Sequence, residues 1–179
     1  MTSDYLKYYD LEAYLFEDVR QRFHKRGKLD AFDLFSIIVW KSNRSKSRLA
    51  KRLAKKSGTL EAAATQFTGA LFKAGSPEAR MRVATKDWGF NLPMASAILT
   101  VLWPKYFTVF DVRVCEEIKF QIVKRERMWQ RYSRYRESVR RSVPSAPRLR
   151  DILWIGKERT TLMRRKQLIY RYKGSSRVG

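Results

Sequence analysis

With 179 residues, 44% of them hydrophobic, the chain can bury a proper core as one compact domain or as two small lobes sharing a cleft, which excludes disorder along its whole length. Lys and Arg number 39 against 17 Asp and Glu, a formal charge of +22 that repels itself in the compact state and that a polyanion relieves. A single cysteine, Cys115, excludes an intrachain disulfide and a cysteine-rich zinc site, and a single histidine, His24, excludes a multi-histidine metal site.

The N-terminal MTSDYLKYYDLE is polar and acidic, without the basic-then-apolar order of a secretory signal, so a cytoplasmic protein is expected. No apolar run approaches the ~18 residues that suggest a membrane span. Residues 5–23 form a long amphipathic helical segment ended by Gly27. Asp30 can cap a helix holding Phe32, Leu34, Phe35, Ile37, Ile38 and Trp40. Residues 44–56 place Leu49 and Leu53 on one side of a helix and cations elsewhere. Thr59 caps a helix over about 60–74, and Ser76-Pro77-Glu78 opens another that runs to about Asp87, with proline and an acid in its first turn.

A tight WGFN turn then leads into an apolar helix over about 92–102, which Trp103-Pro104 breaks. Asp111 opens a helix that passes residue 119. Residues 124–142 carry Met128, Tyr132, Tyr135 and Val139 as a stripe at three- and four-residue steps. VPSAP is a turn, a last helix covers about 149–170, and a basic tail follows. The strand-like runs ILTVLW and YFTVF are short, so the fold class is all-α. The expected organisation is a single unit over 1–179, with a hairpin about 78–102 and basic C-terminal helices about 119–172.

Charge is unevenly placed. Residues 41–56 carry eight cations and no acid, and from residue 119 onward there are 19 cations against 4 acids. These two regions suit the sides of a groove for DNA or RNA, with an anionic membrane surface as the lesser partner. Arg44, Lys46, Arg48, Lys51, Arg52, Lys55 and Lys56 read as phosphate contacts, against the ordinary alternative of a solvated helix face.

The stretch 80–102 reads as helix, tight turn, helix. Gly89 permits the positive φ such a turn needs, and Asn91 is one of the few other residues that tolerate it. Free N–H groups at the second helix start can hold a phosphate, aided by the helix dipole. Ala95, Ser96 and Ala97 are small, which allows close helix approach. An ordinary core hairpin is the alternative.

WGFNLPMASAIL followed by TVFDVRV resembles the helix-hairpin-helix DNA glycosylases, whose hairpin leads to an aspartate opening the next helix about twenty residues on. IIVWKSNRSK and SAPRLRDILWIGKER resemble a little-characterised branch of that superfamily. The resemblance implies a two-lobed helical fold with DNA across a cleft, acting near the nucleoid, and a target nucleotide flipped from the stack. The matching aspartate is Asp111, whose carboxylate would stabilise positive charge on the sugar and position a water at C1′. Hairpin amides near Gly89, Asn91 and Leu92 would hold the DNA backbone, and a monovalent cation could sit at the hairpin carbonyls. No organic cofactor is implied.

Two departures stand out. The usual second hairpin glycine is Asn91, and Pro93 stands where bifunctional members carry a nucleophilic lysine, so a monofunctional hydrolytic enzyme is expected. Lys41 or Lys86 could substitute only if the fold brings one to the pocket. Trp40, Lys41 and Arg113 are the substrate-pocket candidates. Trp40 stacks on an extruded base or packs in the core; Lys41 faces the pocket or solvent; Arg113 pairs with Asp111, with a phosphate, or with neither. Trp129, Tyr132 and Tyr135 stack on bases or face the core. An Asp at a helix start is often only a cap, and a helix-hairpin-helix module that binds DNA or RNA without chemistry remains the alternative function.

Overall fold

The computed structural model describes residues 11–123 and 125–142; the expected final helix over 149–170, the VPSAP turn and Trp154 lie outside them. Among the described residues the fold is all-helical and contains no strand. The chain divides into two compact units, Met1–Phe110 and Asp111–Gly179.

In the first unit, helix α1 runs through Leu11–Ala13, a π-helical Tyr14–Val19 and Arg20–Arg26, and stops at Gly27 with φ +68°. Helix α2 is Ala31–Ser42, and Asp30 caps it by accepting from the Asp33 N–H at 2.8 Å. A 3-10 turn, Asn43–Ser45, leads into α3, Lys46–Ser57. Helix α4 is Leu60–Lys73, capped by Thr59, and α5 is Pro77–Arg82, capped by Ser76 and extended by a π-helical turn Val83–Asp87. Helix α6 is Leu92–Leu102.

Helix α6 is the core of this unit. From Met94 through Leu102 every side chain is buried, which is how a helix apolar on all sides must sit. Helices α1, α2 and α5 pack around it, supplying Leu15, Val19, Phe23, Leu34, Ile37, Ile38 and Met81. The ILTVLW run is thus interior helix, and its β-branched content reflects burial rather than a sheet.

An ion pair between half-buried Arg22 and buried Asp33 fixes α1 on α2. The Arg22 guanidinium forks onto Asp33 at 2.9 and 2.7 Å, and the Tyr14 hydroxyl donates to the same carboxylate at 2.6 Å. Burial alone would raise the Asp33 pKa, but the bonds from Arg22 and Tyr14 outweigh it and hold the carboxyl below its usual range. Burial, and then Asp33, push the Tyr14 phenol up to about 12. The carboxylate is 2% exposed, so losing either donor leaves a buried charge under-satisfied.

The second unit holds α7, Val112–Glu117, and α8, Met128–Ser142. Helix α7 was expected to pass residue 119 and ends earlier. Lys119 adopts φ +53°, its N–H donates to Glu116 O, and the Phe120 N–H donates to Cys115 O at 2.7 Å. That is the paired closure of a helix C-terminus with a left-handed residue after the last turn. The reason lies in tertiary packing. The Phe120 ring meets Tyr135 edge-on at 5.5 Å and lies under the Arg134 guanidinium at 4.4 Å, which pulls the chain out of helix. Of the expected stripe on α8, Tyr132, Tyr135 and Val139 are buried and Met128 is half-buried.

Candidate nucleic-acid interface

The WGFN turn closes with two backbone bonds, Trp88 N–H to Val83 O and Phe90 N–H to Ala84 O. Gly89 takes φ +64°, where a side chain would be strained. Asn91 differs from expectation. Its backbone is extended, at φ −68° and ψ 160°, and its side chain caps α6 by accepting from the Met94 N–H at 3.1 Å. The residue stands here for its cap chemistry rather than its tolerance of positive φ. Pro93, in the first turn of α6, signals this boundary as Pro77 does after Ser76.

The donors at the turn can be followed one by one. Met94 N–H is used by Asn91, Ala95 N–H by Asn91 O, and Pro93 has no N–H. Among the described residues, the N–H groups of Gly89, Asn91 and Leu92 have no hydrogen-bond acceptor. Those are the amides the sequence pointed to. Gly89 and Asn91 are exposed, and Leu92 is buried by its side chain. Three unsatisfied amides at a helix start attract an anion.

The carbonyl side of the turn is occupied. Arg52 Nη1 donates to Gly89 O at 2.6 Å, and Lys56 Nζ donates to Asp87 O at 2.6 Å. The same cations cover the neighbouring rings, Arg52 over Phe90 at 5.2 Å and Lys56 over Trp88 at 5.0 Å. Residues 52 and 56 are one turn apart on α3, so they present both cations to the turn from one face. Below, Trp88 and Phe90 rest on Phe67 at 5.2 and 4.9 Å, so Trp88 packs beneath the turn. Burial, then the nearby Arg48, lowers the Arg52 pKa.

The expected monovalent cation at the hairpin carbonyls therefore finds two of them taken. An added ion would also sit about 4 Å from a fixed positive charge, a repulsion on the order of 4 kcal/mol at an effective dielectric of 20. Asp87 O and Gly89 O do not fit a metal ion. Arg52 and Lys56 were read from sequence only as phosphate contacts; this second role had no local signal. Arg44, Lys46, Arg48, Lys51 and Lys55 are exposed.

Asp111 opens the second unit. It caps α7 by accepting from the Arg113 N–H at 3.1 Å and is half-buried. Tyr135, a residue 1% exposed, has its phenol pKa raised by that burial and then by Cys115. Cys115, one turn on, is buried, and its thiol is pushed up to about 11 by burial and then by Asp111. The residue before Asp111 is anchored as well. Phe110 N–H donates to Ser96 Oγ at 2.8 Å, while that hydroxyl donates to Pro93 O at 3.1 Å. Ser96, read only as a small residue, pins Phe110 to the second helix of the hairpin; a lone serine inside an apolar helix is the signal that could have found it.

The pocket candidates fare differently. The Trp40 ring packs edge-on against Phe16 at 5.8 Å, and its N–H donates to Glu12 at 3.1 Å, so it is held in the packing of the first unit. Lys41 is half-buried at the end of α2. Arg113 is exposed, and its backbone N–H donates to Asp111. His24 is exposed and places Nε2 2.8 Å from Leu102 O, at the carbonyl end of α6. Tyr132 and Tyr135 are buried, which leaves them to packing rather than base stacking; Trp129 lies tilted on Tyr132 at 5.9 Å.

No helix among the described residues is long and apolar enough to cross a membrane. Comparison with protein-family models, with curated proteins and with solved structures found no match.

Proposed function

We propose that this chain is a monofunctional DNA N-glycosylase that hydrolyses the bond between a damaged or modified base and its deoxyribose after flipping the nucleotide. The observation that carries the proposal is the bond from Phe110 N–H to Ser96 Oγ. It ties the residue next to the carboxylate to a helix whose own start presents three unsatisfied amides.

In this reading the duplex backbone sits on the amides of Gly89, Asn91 and Leu92, and exposed cations of α3 contact neighbouring phosphates. The Asp111 carboxylate faces the sugar, stabilises the positive charge that develops as the C1′–N bond breaks, and orients the water that adds at C1′. The base leaves with a proton and the product is an abasic site. Pro93 has no amine, so the reaction stops at hydrolysis. The cap bond from Arg113 N–H holds the carboxylate group's position, which differential stabilisation of a transition state requires.

Oligonucleotides carrying single modified bases, read out by heat–alkali cleavage at abasic sites, test this directly. The native chain releases one of the bases and forms no borohydride-trapped adduct. Asp111→Asn lowers that rate by on the order of 10²-fold or more while duplex affinity changes little. A native chain inert on every base, yet bound tightly to duplex, identifies a non-catalytic helix-hairpin-helix binder instead. Full activity in Asp111→Asn sinks the proposed mechanism.

A further inference from the structure

A turn that aims several carbonyls outward concentrates partial negative charge, and something positive must meet it before a phosphate can approach the same turn. In this chain the positive groups are part of the protein. Arg52 and Lys56 donate to Gly89 O and Asp87 O, both at 2.6 Å, from successive turns of α3. Each is also held over an aromatic ring of the turn, Phe90 or Trp88. Trp88 and Phe90 in turn rest on buried Phe67. A Cβ built on Gly89 would lie 3.4 Å from Arg52 Nη1, so the guanidinium is packed close against the turn.

We infer that Arg52 and Lys56 are tethered cations standing in for a bound monovalent metal ion at the hairpin. The anchor keeps its positive charge through covalent structure, and its shape and anion affinity do not depend on which monovalent cation is in solution. The carbonyl bonds leave both formal charges intact, because a carbonyl is a dipole and not an ion. The two charges therefore still raise the potential at the Gly89, Asn91 and Leu92 amides. This inference builds on the phosphate-anchor reading of the hairpin, but its core claim concerns the carbonyls and can be measured without DNA.

The test is thermal unfolding of the full chain in potassium, sodium or tetramethylammonium chloride at one ionic strength; the last ion is too large to be coordinated by carbonyls. The native Tm is expected to agree in all three to within about 1 °C, because no site exists for the smaller ions to bind. The double variant R52Q/K56Q, with its carbonyls released, is expected to melt about 2–5 °C higher in potassium than in tetramethylammonium. The double variant R52K/K56R, which keeps both cations in reach, is expected to retain the native indifference. A native Tm that climbs with potassium overturns the inference, as does a folded double variant that ignores the ion. If the double variant does not fold, the native comparison alone decides. Duplex affinity measured in the same three salts is expected to be equal for the native chain. Absence of duplex binding in every salt would defeat the DNA reading and leave the melting result standing.

Discussion

Helices α3 and α8 each bury an apolar edge and carry cations elsewhere. In α3 the edge is Leu49 and Leu53; in α8 it is Tyr132, Tyr135 and Val139. Their cations meet different partners. Arg134 forks onto Glu126 at 3.0 and 2.8 Å and donates to Gln121 O, Arg131 donates to Val123 O, and Arg141 pairs with Glu137 at 3.2 Å. Around α3, residues 41–56 contain no acid at all, and the partners of Arg52 and Lys56 are neutral carbonyls. A carboxylate cancels a charge, whereas a carbonyl only orients it. Arg131 and Arg134 of α8 tie down the segment that precedes the helix. Those of α3 brace the hairpin while its full charge remains available to a polyanion.

The largest expected effect follows from that difference. Replacing Arg44, Lys46, Arg48 and Lys51 together by Gln spares the two hairpin braces and removes four exposed cations. Duplex affinity is expected to fall by on the order of 10²–10³-fold at 0.1 M salt, and the slope of log affinity on log salt to become shallower by about 3–4, at roughly 0.9 per phosphate contact. Replacing the engaged arginines of α8, Arg131, Arg134 and Arg141, by Gln is expected to change the slope less. Equal losses from both sets would abolish the distinction between the helices, and a flat salt response in the native chain would remove α3 from the interface altogether.

Much of the fold was legible because its signals are local. Asp30, Thr59 and Ser76 each cap the helix they precede, and α6 occupies 92–102 as the Asn-Leu-Pro start and the Trp-Pro stop require. What was not legible depends on residues far apart in sequence. Arg52 and Gly89 are separated by 37 positions and Lys56 and Asp87 by 31. A lysine that braces a carbonyl looks the same in sequence as one that awaits a phosphate. The early end of α7 has the same origin, since Phe120 is drawn to Tyr135 and Arg134 on another helix. For the candidate site, the hairpin amides and the Asp111 cap could be read from residue type. The pin from Ser96 was missed because its partner, Phe110, lies 14 residues on, although a lone serine inside an apolar helix already marks a buried hydroxyl that needs a partner.

Lys119 gives a smaller effect confined to the α7–α8 unit. A lysine at φ +53° pays the steric cost of the left-handed region, which glycine avoids. Lys119→Gly is expected to stabilise this unit by about 0.5–1 kcal/mol, offset in part by the greater freedom of glycine in the unfolded chain. Denaturant melts followed by tryptophan fluorescence, compared with the native chain, measure it. Since the substitution also removes a cation, duplex affinity in the same variant sharpens the comparison: little loss is expected if α3 is the main phosphate surface. Destabilisation would mean that the lysine side chain holds the turn by contacts that outweigh its backbone strain.

The smallest effect is the pH dependence of the Glu126–Arg134 pair. The Arg134 hydrogen bonds hold the Glu126 pKa below its ordinary value of 4.5. A depressed folded-state pKa means the carboxylate contributes stability above the unfolded value, and that contribution fades as pH falls through the folded one. Wild type minus Glu126→Gln should therefore show a small positive difference in Tm at pH 7 and pH 5 that shrinks toward zero by about pH 3. High salt should shrink it too, because the pair is exposed. Neutralising the α3 cations should show no such acid transition, since no carboxylate faces them within residues 41–56. A difference between Glu126→Gln and wild type that stays constant down to pH 3 would mean that Gln121 O and the Phe120 ring hold Arg134 without help from charge. The contrast between a partly paired α8 and a fully charged α3 would then rest on sequence composition alone.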